Sequence, residues 1–269
     1  MKGGLVSVDC KAFGVGFRLN ADSGVVLERM LDSTPLGTEA FVAPPENARQ
    51  FTVLKGGEDI AYCLISGEER IAESSQLSAI LEQFACGLMV HVTDNAPDHV
   101  FLHAGVVGWQ RRALILPGDS FAGKTTLVAE LVRAGATYYS DEYAVIDDCG
   151  WVHPYARKLR MRAPGRTEQT PVEVERLNGV AGVAPLPVAM VAFTEYVESG
   201  RWLPEAISPG MAALEMLRHA IPVRRTPARV MTVLAKVIET AQTVRSERGE
   251  ARDAAQLLLV AMSASRGPA

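Results

Sequence analysis

The 269 residues carry 48% hydrophobic and 22% charged side chains and a formal charge of −4, a balance suited to a folded globular chain with a sizeable core. Arg111-Arg112 and Arg224-Arg225 are isolated basic pairs with no basic stripe around them, which argues against a nucleic-acid partner. No apolar run reaches the roughly 18 residues a spanning helix needs, and the start (MKGGLVSVDCKAFG) lacks a signal-peptide core, so a cytoplasmic protein without a membrane role is expected.

The first hundred residues read as a small α+β module. Short β-like runs cover Leu5 to Val8, Phe13 to Leu19, Phe51 to Leu54 and Ile60 to Ile65, with a helical stretch from Val25 to Leu31. Leu77, Ile80, Leu81, Phe84, Leu88 and Val92 then recur at helical spacing, and Asn95-Ala96-Pro97 ends that amphipathic helix. The expected division is an N-terminal module over 1–97 and a second domain over 98–269. Cys10, Cys63, Cys86 and Cys149 show no C-x-x-C spacing, so reduced thiols are expected, with Cys149 alone exposed in a turn.

From Val100 two apolar runs, Val100 to Trp109 and Arg112 to Leu116, flank a tight turn and fit neighbouring strands. The second leads into Gly118, Asp119, Ser120, Phe121, Ala122, Gly123, Lys124 and Thr125, a complete G-x-x-x-x-G-K-[ST] pattern. Thr126 to Ala134 continues as a helix and stops at Gly135. Strand, loop, helix is the context in which backbone N–H groups wrap a β-phosphate. Lys124 then supplies charge over β and γ oxygens, and Thr125 a hydroxyl for Mg²⁺. The expected ligand is a nucleoside triphosphate.

A strand over Thr137 to Ile146 carries Asp141 and Glu142, the acids best placed to serve as metal ligand and base, in either order. Asp147-Asp148-Cys149-Gly150 reads as a turn, and Trp151 to Met161 as a further strand broken at Pro154. His103 lies on the strand before the loop strand, either as a core histidine or as part of the site. Of Arg157, Arg160 and Arg162, the spacing lets one reach transferred phosphate or an anionic acceptor. Residues 163–187, rich in Gly, Pro and charge, read as one long loop. A strand at Val188 to Thr194, helices from Ser208 to Arg218 and around Val230 to Ile238, a short edge strand at Thr243 to Ser246 and a final helix from Ala251 to Met262 complete the chain.

His103-Ala104-Gly105-Val106, then G-D-S-x-x-G-K-T, then S-D-E-Y resemble the catalytic domain of the HPr kinase/phosphorylase family, whose core is related to ATP-dependent phosphoenolpyruvate carboxykinase. The resemblance covers roughly residues 98–165. It implies an α/β P-loop kinase domain of that type joined to the N-terminal α+β module. It also implies ATP and Mg²⁺ as cofactors and a hydroxyl acceptor, of serine type, on a peptide, protein or small molecule. By that resemblance Asp141 is the general base, Glu142 and Thr125 hold Mg²⁺ with Asp141 beside them, and His103 sits by the γ-phosphate. Related kinases assemble into rings, so a homo-oligomer is compatible. Thr125 stands for the family's Ser, Glu142 for its second Asp, and Phe121 for a Gly; no R-G-x-G segment follows. HPr itself is therefore not the expected acceptor. The competing readings are a nucleotide-binding sensor without catalysis and a P-loop switch, although no N-K-x-D guanine-reading motif occurs.

Overall fold

The computed structural model describes residues 4–35, 37–41, 48–56, 61–119, 122–162 and 169–264. The chain divides into two compact units, Met1–Asp98 and His99–Ala269.

The first unit is built on β1 (Val6–Ala12), β2 (Val15–Ala21), α1 (Gly24–Leu31), β3 (Glu39–Phe41), β4 (Arg49–Lys55), β5 (Tyr62–Ser66), β6 (Glu69–Ser74) and α2 (Leu77–Asn95). Its six strands form one sheet in the order β3-β1-β2-β4-β5-β6, with β2 and β4 parallel and the other neighbours antiparallel. The apolar stripe expected on α2 is the buried one: Ile80, Phe84, Leu88 and Val92, each four residues on, lose all contact with solvent. Phe84 meets Phe51 of β4 edge to face at 5.5 Å. Other strand positions carry polar pairs, with Arg18 bidentate on Asp9 at 2.7 and 2.9 Å and Asn20 bonded to Ser7 and Thr52. Cys86 is exposed on α2, against the expectation that Cys149 alone would be, because it lies off the Ile80–Phe84–Leu88 stripe.

The second unit is a mixed α/β layer structure. Its elements are β7 (His99–Trp109), β8 (Arg112–Pro117), α3 (Lys124–Arg133), β9 (Thr137–Ser140), β10 (Tyr143–Asp147), β11 (Trp151–His153), β12 (Leu159–Arg162) and β13 (Gln169–Val172). A 3-10 turn (Val174–Leu177) follows, then β14 (Leu186–Tyr196), β15 (Glu205–Ala206), α4 (Pro209–His219), α5 (Pro227–Thr240), β16 (Gln242–Arg248) and α6 (Ala251–Ala264). The main sheet runs β11-β10-β7-β8-β14-β16-β15, with β9 also on β7 and β11 pairing back onto the start of β14. Strands β8, β14 and β16 are mutually parallel, so their carboxyl ends share one edge.

Strand β8 is buried on both faces, which explains its unbroken apolar run. Leu114 and Leu116 enter the core beneath α3 and α6, and Ala113 and Ile115 the core beneath α4 and α5. Helix α3 packs close because Gly105 of β7 carries no side chain: a Cβ there would lie 2.6 Å from Val128. The helix ends in a Schellman motif, with Ala136 N–H on the Leu131 carbonyl, Gly135 N–H on that of Val132, and Gly135 at φ +101°.

Three sequence expectations need correction. The span 163–187 is not one loop: residues 163–168 lie outside the described residues, β13 pairs with β12, and Val174 and Leu177 bury into the core through the 3-10 turn. The run from Trp151 to Met161 gives two strands in different sheets, separated where Tyr155 and Ala156 turn inward. Strand β16 is not an edge strand but lies between β14 and β15. Its alternating Arg245 and Glu247 gave it an edge-like polarity. Among the described residues no helix is long and apolar enough to cross a membrane.

Candidate functional site

The loop at residues 118–125 leaves the carboxyl end of β8, at the edge where open α/β sheets bind their ligands. Gly118 N–H donates to the His103 carbonyl at 3.3 Å, which ties the start of the loop to β7. Ser120 and Phe121 lie outside the described residues. Ala122 N–H returns to the Asp119 carbonyl at 3.3 Å, and Gly123 caps α3 in the left-handed region at φ 75° and ψ 17°. Lys124 folds back across the loop, its Nζ donating to the carbonyls of Gly118 at 2.7 Å and Asp119 at 2.5 Å. Thr125 is half-buried and Thr126 exposed in the first turn of α3, where backbone N–H groups have no partner within the helix.

The two acids reach this loop through β7. The strand expected over Thr137 to Ile146 is interrupted at Asp141-Glu142, which form a bend between β9 and β10. Register is nevertheless kept across it, from Ser140 opposite Val106 to Tyr143 opposite His103. Ser140 fixes the bend: its buried hydroxyl accepts the N–H groups of Glu142 at 3.1 Å and Tyr143 at 2.9 Å. The bend relaxes the strict alternation of a strand, and Asp141 and Glu142 both act electrostatically on Lys124, as does Asp119. Burial pulls the Lys124 ammonium below its ordinary pKa, and these three carboxylates oppose that shift.

His103 presents an exposed edge and stacks at a tilt on Tyr143, with 5.1 Å between ring centroids. Desolvation first, then the Lys124 charge, lower its pKa, while Glu142 and Asp119 work against the shift. The neighbourhood therefore joins His103, Lys124, Asp119, Asp141 and Glu142. Arg157 also points here, 3.5 Å from the Glu142 carboxylate, whereas Arg160 and Arg162 lie on exposed positions of β12. Asp147 and Asp148 belong elsewhere. Asp147 accepts the N–H groups of Cys149 and Trp151 and meets His153 at 2.8 Å, and Asp148 pairs with Arg229 at 2.9 Å.

Three residues that no sequence pattern marked complete the surroundings. Tyr138 donates its hydroxyl to Asp141 Oδ1 at 2.8 Å. Arg248, 3% exposed at the end of β16, reaches the carbonyls of Gly123 at 3.2 Å and Ala122 at 3.4 Å, its guanidinium 5.4 Å from the Tyr196 ring centroid. His219, the last residue of α4, lies 3.3 Å from the exposed Asp119 carboxylate. Arg248 and His219 lie far along the chain from the loop; the place of β16 beside β14 returns Arg248 to it, and the bridge from Ala220, just after α4, to Leu102 of β7 returns His219.

On the β14/β16 side of the loop a cleft of about 870 Å³ opens between Gly118-Asp119, the ends of β14 and β16, and the last turn of α4. Its wall carries Glu195, Glu205 and Glu247 beside Arg201, while Arg245 is held by Glu215 at 2.8 Å. Asp141, Glu142 and His103 stand on the other side of β8 and do not line it. Among the described residues no group of three or more His, Cys, Asp or Glu is arranged to hold a metal ion. No protein-family model matches this chain, and no curated protein matches it by sequence.

Proposed function

We propose that this chain is a kinase of the P-loop, HPr kinase-like type, transferring the γ-phosphate of ATP to a hydroxyl of a peptide, protein or small molecule. The observation that carries the reading is the convergence of Asp119, Asp141 and Glu142 on the partly buried Lys124 at the carboxyl end of β8. A phosphate loop needs its cation there, and phosphoryl transfer needs carboxylates beside it.

The triphosphate would lie along the loop with its γ end toward Asp141 and Glu142. Its nucleoside then falls on the opposite flank, in the cleft, where carboxylates suit the hydroxyls of a ribose better than they suit phosphate. Hydroxyl oxygens and carboxylates are the hard donors Mg²⁺ takes, and Mg²⁺ completes its shell with water and substrate phosphates rather than a protein cage. Thr125 and Glu142 would hold it, with Asp141 beside them, and it would supply charge neutralisation of the phosphates. In the transfer, the acceptor O–H proton passes to the Asp141 carboxylate as the acceptor oxygen bonds to Pγ. The bond from Pγ to the bridging oxygen breaks, and ADP leaves with that electron pair. Lys124 and the helix N-terminus stabilise the charge that moves onto the bridging side.

The test is transfer of labelled γ-phosphate from ATP and Mg²⁺ into a panel of serine, threonine and small hydroxyl acceptors. Asp141→Asn is expected to bind ATP as the parent does but to transfer about a hundredfold more slowly. Lys124→Ala is expected to lose both. Binding of ATP with no transfer to any acceptor would point instead to a sensor, and a strong preference for GTP to a switch.

A further inference from the structure

We infer that Tyr138 is the positioning residue for Asp141, holding one carboxylate oxygen so that the other faces the loop; this rests on the kinase reading above. Tyr138 sits at the second position of β9, 1% exposed, in the core shared with Leu127, Leu131 and Val132 of α3. Its ring is therefore fixed by packing against the same helix that begins at Lys124. From that anchor the hydroxyl reaches Asp141 Oδ1 at 2.8 Å. The phenol has a single proton to give and an ionised carboxylate can only accept, so the bond runs from Tyr138 to Asp141.

Asp141 needs such a hold. It lies in a bend rather than in a ladder, and a carboxylate on a bend has rotamers that a strand neighbour would have excluded. Proton transfer requires the base within hydrogen-bond reach of the attacking hydroxyl, and small misplacements are costly in rate. The neighbouring Tyr139 supplies an internal control. Its buried hydroxyl also makes one strong bond, to the Ala184 carbonyl at 2.6 Å, but has no link to Asp141.

The experiment measures phosphate release from ATP and Mg²⁺ with water as the acceptor, in the full chain. Tyr138→Phe keeps the ring and removes the hydroxyl. It is expected to lower kcat by about tenfold to a hundredfold while the KM for ATP stays within about twofold. Tyr139→Phe is expected to leave both within about twofold. In an Asp141→Asn background, Tyr138→Phe is expected to add no more than about twofold, because the group it positions has already been disabled. Tyr138→Leu, which also lacks the hydroxyl, is expected to repeat the loss, and a melting shift on adding ATP and Mg²⁺ identifies the folded variants. A folded Tyr138 variant with parental kcat overturns the assignment, as does an equal loss in the Asp141→Asn background. A parent chain that releases no phosphate and labels no hydroxyl acceptor overturns the kinase reading and this assignment together, and it does so before any variant is compared.

Discussion

Gly123 shows how one backbone position ties the loop to the rest of its unit. It caps α3 at φ 75°, where a side chain is strained, and a Cβ there would lie 2.5 Å from the Arg248 guanidinium. Gly123→Ala is therefore expected to lower stability by about 1–3 kcal/mol, read from denaturant unfolding, and to weaken ATP binding as the loop shifts. His219 carries a different consequence. Burial lowers its pKa, Asp119 opposing and Lys124 and Arg218 reinforcing the shift, with Glu215 also opposing. The folded chain keeps this imidazole neutral to lower pH than the unfolded chain does. Its contribution is thus complete above the ordinary histidine value of about 6.5 and is lost as pH falls through the folded value. His103 shifts the same way and adds to the slope. Melting temperatures measured from about pH 7.5 down to about pH 5 should fall less steeply for His219→Gln than for the parent; equal slopes would remove His219 from the account.

At the scale of elements, legibility followed how local each signal was. The apolar run of β8, the glycines around Lys124 and the Gly135 stop of α3 are short-range features, and they place strand, loop and helix where the structure has them. The i, i+4 stripe of α2 was readable for the same reason. Strand β16 was partly hidden because its outward residues, Arg245 and Glu247, serve a cleft rather than a core. Strand β13 was lost in a stretch whose Gly and Pro content reads as loop, although its pairing with β12 supplies the missing order. The bend at Asp141-Glu142 depends on a side chain, the Ser140 hydroxyl taking two backbone N–H groups, and a period-two pattern carries no trace of it. In the site, Lys124, Asp141 and Glu142 were legible as types at a spacing. Arg248, His219 and Tyr138 were not, since each matters through a contact set by the topology and not by its sequence neighbours.

At the scale of the whole chain, every described residue assigned to the proposed site falls within His99–Ala269. That unit contains complete cores on both faces of its main sheet. Expressed alone, residues 99–269 are expected to bind ATP within about threefold of the full chain's affinity, measured by calorimetry; a loss of tenfold or more would give Met1–Asp98 a part in nucleotide binding. The cysteines offer a way to ask what the first unit does instead. Cys10 and Cys63 are buried, whereas Cys86 on α2 and Cys149 in the turn before β11 are exposed, one in each unit. The native chain thus already carries two addressable thiols, and a donor and acceptor dye attached to them would read, without any engineered site, whether the spacing of its two units differs before and after ATP and Mg²⁺ are added.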